Sequence, residues 1–172
     1  MTDQLVINPI DLVLATLERT IGYAEALLKD VDPGTFAHLP LPNFNHPAFC
    51  FGHLALYPNR WLEFLGRGDE VHVLPFDADP YLAGAECVEQ DGRYASMEVI
   101  TTAFFESHRN FAELAPGIDP LRFADEIPEG NPYRPFFGLV GNAVTFMACS
   151  HTMMHLGQIS MWRRAMGLGP CM

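Results

Sequence analysis

The feature that most constrains the fold is the stretch 135–162, which contains no Asp, Glu, Lys or Arg. On charge alone, this stretch is long enough to cross a membrane. A span would, however, place Asn142, His151 and Gln158 at bilayer depth with no second apolar span to pair with. We therefore predict a buried helix and no membrane insertion. Because such a helix is apolar on nearly every face, either a bundle or a second subunit must cover it, and we expect a homodimer.

Composition adds limits on size and on partners. With 172 residues, of which 49% are apolar, the chain fits one domain over 1–172. Ten basic and twenty-one acidic residues give a net charge of −11, which repels a phosphate backbone, so we expect a small-molecule substrate and no nucleic acid. No secretory signal is apparent, and the four scattered cysteines form no C-x-x-C pair, so we expect a cytoplasmic protein with reduced thiols.

Four stretches have helical periodicity with start and stop signals. They are predicted from Ile10 to Leu28, from Asn45-His46-Pro47 to near Gly66, from Ser96 to before Pro116, and from between Phe137 and Asn142 to Met166. The connections 31–45, 67–95 and 115–136 are rich in Pro, Gly and Asp, and no alternation is long enough for a strand. The pattern predicts an all-α four-helix bundle with long irregular loops.

Pro58 falls inside the second predicted helix. A proline there removes one backbone donor and clashes with the carbonyl of Leu54, four residues earlier. We therefore predict a kink, which costs roughly 3 kcal/mol unless packing compensates.

Two histidines on the last predicted helix suggest a metal site. His151 and His155 are four residues apart, so both imidazoles lie on one helical face and can reach one ion. The segment between them has no Glu, which excludes the H-E-x-x-H zinc-protease motif. A third ligand should come from a facing helix, where His53 lies on an otherwise mostly apolar stripe. A histidine in such a place can also be a packed core residue with a satisfied hydrogen bond.

The segments FGHLALYPNRWLEFLGRG and SHTMMHLGQISMWRRAMGLGP resemble the DinB-like helix-bundle metalloproteins, some of which are thiol-dependent transferases. The family pattern is a lone histidine in the second helix and H-x-x-x-H-x-G-Q-I on the last long helix. In this sequence, the pattern maps onto His53, His151, His155, Gly157, Gln158 and Ile159. The resemblance implies a DinB-like four-helix bundle over the whole chain and a divalent ion held by the three histidines.

The implied chemistry is that of a Lewis acid. Three neutral imidazoles leave the ion its full double charge, so it can activate water or hold a thiol as thiolate, and no protein base is required. Imidazole ligands do not select one metal: zinc is expected first, nickel next, and iron or copper also fit. The first hypothesis is a metal-dependent enzyme, a thiol-dependent transferase or hydrolase acting on a small electrophile. The alternatives are a non-catalytic metal- or small-ligand-binding stress-response protein, and a bundle whose histidines are merely structural.

Four further residues are candidates for the shell around the metal or for the substrate pocket. Gln158 could orient a ligand histidine or bind substrate, or it could join two helices by a hydrogen bond. Cys50 could add a thiolate, although a buried apolar thiol is the simpler interpretation. His108 could be a spare ligand or a core histidine bonded to a carbonyl. Arg60 could clamp the carboxylate of a thiol cofactor or remain solvated. No catalytic residue is assigned; Glu98 is an acid or base candidate that a helix-start charge also explains.

Overall fold

The computed structural model describes residues 7–171 and is all-helical over that range, with only an isolated antiparallel bridge between Glu126 and Leu139. This confirms the all-α prediction. The helices are α1 (Pro9–Leu28), α2 (Pro47–Phe64), α3 (Met97–Leu114), α4 (Arg134–Phe137), α5 (Val140–Thr145), a π-helical turn (Phe146–His151) and α6 (Thr152–Ala165). Residues 1–6, on which the expectation of no secretory signal rests, lie outside the described range.

Side-chain caps fix the starts of the first three long helices. The Asn8 side chain accepts a hydrogen bond from the Ile10 amide, and Ser96 accepts one from the Val99 amide. His46, within the predicted start Asn45-His46-Pro47, is the cap of α2: its Nδ1 accepts from the Phe49 amide at 3.1 Å. The helix continues through Pro58 to Phe64, so the proline does not break it.

The fourth predicted helix is confirmed as one helical path from Val140 to Ala165. It starts after Gly138, whose φ is 68°, and ends before Gly167, whose φ is 76°. The π-helical turn in its middle is not predicted from the sequence. There the Thr152 hydroxyl donates to the Met147 carbonyl, five residues earlier. None of the described helices has both the length and the apolar character that a membrane crossing requires.

The helices pack around two apolar clusters. α2 packs on α3 and on the last helix, which in turn packs on α1. One cluster contains Phe51, Phe104, Leu156 and Trp162, and the other contains Trp61, Phe111, Val144 and Ala148. His151 and His155 lie between Ala148 and Leu156 on the last helix. The helix positions that carry histidines therefore fall at the junction of the two clusters.

Within one chain the bundle covers only part of the last helix, which leaves one face to the second expected source of cover, another subunit. Phe146, Met153, Met154 and Met161 are 42–55% exposed, because α1 and α2 contact the opposite side of the helix. An apolar face therefore stays open to a partner.

Candidate metal centre

The structure brings the three predicted histidines together. His53 lies in the middle of α2, His151 ends the π-helical turn, and His155 lies one turn into α6. One ring nitrogen of each histidine lies within 4.8 Å of the nitrogens of the other two. His151 Nε2 is 3.3 Å from His53 Nε2 and 3.1 Å from His155 Nε2. The three nitrogens thus converge on one point between α2 and the last helix.

The π-helical turn explains how the last helix can direct both His151 and His155 toward the core. From Val140 to Leu156, buried residues recur every four positions, which exceeds the 3.6 residues of an α-helical turn. A π-helical turn holds more residues per turn, so it absorbs the excess and keeps the buried positions on one face. His151 and His155 then point toward α2 in register.

Hydrogen bonds to the outer ring nitrogens define the protonation of two imidazoles. His53 Nδ1 donates to the Tyr81 carbonyl at 2.7 Å, and His155 Nδ1 donates to Gln158 Oε1 at 2.9 Å. The Nε2 atoms of both rings therefore carry lone pairs that point at His151. His151 has one Nε2 proton at most, which can satisfy only one of its two close Nε2 neighbours.

This donor set fits a metal ion. At least one of the two Nε2–Nε2 contacts brings two lone pairs together with no proton between them, which is unfavourable unless a cation lies there. A tetrahedral zinc ion with Zn–N bonds of about 2.0–2.1 Å would place its ligand nitrogens about 3.3 Å apart. The observed separations of 3.3 and 3.1 Å agree with that spacing.

Burial keeps the three imidazoles in the neutral form that binds metals. Burial, aided by repulsion from His155 and His53, lowers the pKa of His151 to about 3. Burial and repulsion from His53 lower the pKa of His155 to about 4, and burial also lowers the pKa of His53. At neutral pH no proton has to leave before a cation binds.

Gln158 contacts both His155 and α2, so the structure is compatible with each of its predicted roles, orienting a ligand histidine and joining two helices. Its Oε1 accepts from His155 Nδ1, from Asn45 Nδ2 at 3.1 Å and from Cys50 Sγ at 3.6 Å. Cys50 is fully buried, and burial raises the pKa of its thiol well above the usual value. Cys50 is therefore a protonated donor to Gln158, and it is not placed as a thiolate ligand.

The partner of His53 comes from a loop, and sequence reasoning missed it. Tyr81 lies in a 3₁₀ turn of the connection 67–95, and its buried ring packs directly on Gly52. A Cβ at position 52 would lie 2.1 Å from that ring, so only glycine allows the contact. The Tyr81 hydroxyl also accepts from the Ala95 amide at 3.0 Å. Because Gly52 has no side chain, Tyr81 can pack against α2 closely enough for its carbonyl to reach His53.

A cavity of about 420 Å³ adjoins the cluster at His53 and is lined on one side by residues of the connection 67–95. Its wall consists of His53, Leu56, Tyr57, Asn59, Arg60, Leu74, Ala78, Leu82, Ala83 and Tyr133. Asn59 attaches the connection 67–95 to α2 through two hydrogen bonds of 2.8 Å to the His72 backbone. The connections 67–95 and 115–136 therefore supply part of the wall, and Arg60, one of the predicted candidates for a pocket residue, lies on it.

Tyr57 is a second residue that the site adds to the predicted set. Its ring centroid is 4.5 Å from that of His151 and 4.9 Å from that of His53. Burial raises the pKa of Tyr57 to about 12, so its hydroxyl stays protonated at neutral pH. Its position four residues after His53 on the same stripe is the signal that could have identified it.

His108 does not join the cluster. Its Nδ1 donates to the Phe104 carbonyl at 2.7 Å, and its ring packs on Trp61 with centroids 5.4 Å apart. It lines a different cavity, of about 720 Å³, between α1 and α3. The structure thus agrees with the simpler interpretation, a core histidine bonded to a carbonyl. Glu98 is exposed in the first turn of α3.

Taken together, the fold and the site define a helix-bundle protein with a three-histidine candidate metal centre. Residues 16–159 match the sequence profile of the DinB superfamily, so the chain belongs to this superfamily. No curated protein and no solved structure gave a significant match.

Proposed function

We propose that this chain is a metal-dependent enzyme in which His53, His151 and His155 hold a divalent ion, with zinc as the first expectation and nickel as the next. The observation that carries the proposal is the pair of Nε2–Nε2 contacts at 3.3 and 3.1 Å, for which the imidazoles lack enough protons. Membership of the DinB superfamily supports it.

The proposed reaction is the transfer of a thiol to a small electrophilic substrate, or the hydrolysis of such a substrate. A divalent ion with three neutral ligands supplies a Lewis acid that activates a thiol or water near neutral pH. Tyr81 and Gln158 orient His53 and His155, and both leave Nε2 free to bind. The cavity beside His53 offers a mostly apolar wall to the substrate.

Metal analysis of the purified protein tests the site. We expect about one equivalent of a divalent metal in the native protein and a large loss in His53→Ala and His155→Ala. His38→Ala is the matched control, because His38 is half-exposed and pairs with Glu89 away from the cluster. Unchanged metal content in folded His155→Ala protein, as judged by circular dichroism, would show that the histidines are only structural.

Binding without catalysis is the second candidate. None of the described residues that line the cavity is Asp or Glu, so catalysis there would depend on the metal alone to activate a thiol or water. Assays of thiol and electrophile pairs with the metal-loaded protein separate the two candidates. Turnover that is lost in His155→Ala supports the enzyme, whereas metal binding with no turnover across thiol classes supports the binding protein.

A further inference from the structure

The cavity beside the candidate metal centre has an unusual charge for this protein. The chain has twenty-one acidic and ten basic residues, so a random patch of its surface would be acidic. The cavity wall nevertheless contains no Asp or Glu among the described residues, and its one permanently charged side chain is that of Arg60. The rest of the wall is largely aliphatic and aromatic, with leucine, alanine and tyrosine side chains.

Arg60 has hydrogen-bonding capacity to spare. Its Nη1 donates to Glu63 Oε2 at 2.6 Å, and the described residues supply no other hydrogen bond to its guanidinium. A guanidinium has five N–H donors, so an edge that can bind a carboxylate in two-pronged fashion remains. The side chain is 51% exposed, which leaves it accessible from the cavity.

Arg60 lies at a defined distance from the cluster. It follows His53 by seven residues on α2, which corresponds to about 10 Å along the helix axis. Arg60 and His53 both line this cavity, and the Arg60 guanidinium also contacts Glu63 one turn further along α2. Arg60 also lines a second cavity, in which three acidic side chains, Glu63, Asp125 and Glu126, outnumber the two arginines, Arg60 and Arg122.

We propose that the metal-centre cavity binds organic anions whose apolar chain or ring lies between a metal-binding end near His53 and a carboxylate at Arg60. The proposal rests on the metal-binding function proposed above and names the substrate class of that site. The volume of about 420 Å³ is in the lower part of the range typical of small-molecule pockets, roughly 300–1,000 Å³. Arg60 is thus a specificity-determining residue.

Three six-carbon thiols that differ only in the far group provide the test: mercaptohexanoate, mercaptohexanol and aminohexanethiol. The full chain is loaded with Co²⁺, and each thiol is titrated while the thiolate-to-cobalt absorbance is followed. We expect the acid to bind roughly tenfold more tightly than the amine, because a guanidinium–carboxylate pair strengthens the one complex and repulsion weakens the other. The alcohol should lie between them.

Variants of the ion pair assign the preference to Arg60. Arg60→Gln should reduce the preference for the acid to less than about threefold, and Glu63→Gln should increase it, because the guanidinium loses its competitor. Arg93→Gln is the matched control, because Arg93 is likewise half-exposed and paired with an acid, Asp91, but does not line this cavity. Its preference should equal that of the native protein.

Failure of this inference can be told apart from failure of the metal site. If Co²⁺ does not bind stoichiometrically, the proposed function itself is wrong. If Co²⁺ and the thiols bind but the amine binds as tightly as the acid, or if Arg60→Gln keeps the full preference, the anion proposal is overturned.

Discussion

Four buried histidines, His46, His53, His108 and His155, and the partly buried His151 show how the local environment decides what the same side chain does. His46 accepts at Nδ1 to cap α2 and donates from Nε2 to the Val88 carbonyl at 2.8 Å, so both of its nitrogens are used by the backbone. His108 donates from Nδ1 to its own helix. His53 and His155 also donate from Nδ1, but their Nε2 atoms meet a third imidazole. Among the described residues, this convergence makes the three histidines a candidate site for a cation.

Gln158 offers a residue-scale test of the outer shell. Gln158→Leu removes the acceptor of His155 Nδ1, so the ring loses its orientation, and we expect metal affinity to fall by about 10–100-fold. Competition with a chromogenic chelator measures the change. Gln158→Glu is the matched control, because it keeps an acceptor and should keep affinity within a few-fold of native. Native affinity in Gln158→Leu would contradict the positioning role.

His108 makes stability depend on pH. Burial lowers its pKa to about 4, while the unfolded chain binds the proton near pH 6.5. Between pH 4 and pH 6.5 the unfolded state binds more protons than the folded state. The contribution of neutral, buried His108 to the free energy of unfolding is therefore full above pH 6.5 and is lost as the pH falls toward 4. The shift corresponds to about 3 kcal/mol at most. The charged residues that line the adjacent cavity are Glu18, Glu25, Glu106 and Arg109, and Trp61 and Phe104 pack on the ring.

Urea denaturation of chelator-treated protein at several pH values measures this effect. Between pH 6.5 and 4, the free energy of unfolding should fall less in His108→Gln than in the native chain. This difference in pH dependence is expected even if the substitution changes the stability at pH 7. Because the ligand histidines titrate in both proteins, the difference in slope isolates His108. Identical slopes in the two proteins would contradict the prediction.

At the scale of elements, Gly52 determines how the connection 67–95 lies on α2. Gly52→Ala places a Cβ 2.1 Å from the Tyr81 ring, so the loop must move and the Tyr81 carbonyl leaves His53. We expect a loss of about 1–3 kcal/mol in stability and weaker metal binding. Gly22→Ala in α1 is the matched control: its Cβ meets nothing within 4 Å, so helix propensity should stabilise the protein by up to about 1 kcal/mol. Thermal denaturation compares the two, and an unperturbed Gly52→Ala variant would contradict the packing argument.

The elements that local chemistry controls were predictable, and those that long-range contacts control were not. The caps His46 and Ser96 and the stop at Gly167 are local signals, and they gave the helix bounds to within a few residues. The i, i+4 pair His151 and His155 likewise lies on one face by helix geometry alone. The Tyr81 carbonyl comes from a loop 28 residues after His53, with no periodicity to announce it. The π-helical turn has a faint signal, the four-residue spacing of apolar positions, which ordinary helix templates do not contain.

At the scale of the whole molecule, the open face of the last helix is the largest departure from a self-contained bundle. Its exposed apolar members follow one stripe, Phe146, Met153, Met154, Gly157 and Met161. No charged side chain interrupts this stripe before Arg163. A single copy of the chain leaves this surface in water, which is unfavourable for an apolar patch of this kind. This stripe is separate from the metal-centre cavity, which is lined by α2 and by residues of the connections 67–95 and 115–136.

The last prediction concerns that stripe, on which we propose that a second copy of the chain packs to form a homodimer. Pairing through the last helix would be isologous, so each copy would bury the same methionines. Met154→Glu or Met161→Glu places a charge in the interface, and we expect monomers at concentrations where the native protein is dimeric, as measured by sedimentation equilibrium. Leu121→Glu is the matched control, because Leu121 is 74% exposed on another surface and its substitution should leave the dimer intact. Metal content should be unchanged in all three variants, since both methionines are more than half exposed whereas His155 is buried. A native protein that stays monomeric up to high concentration would contradict the homodimer prediction.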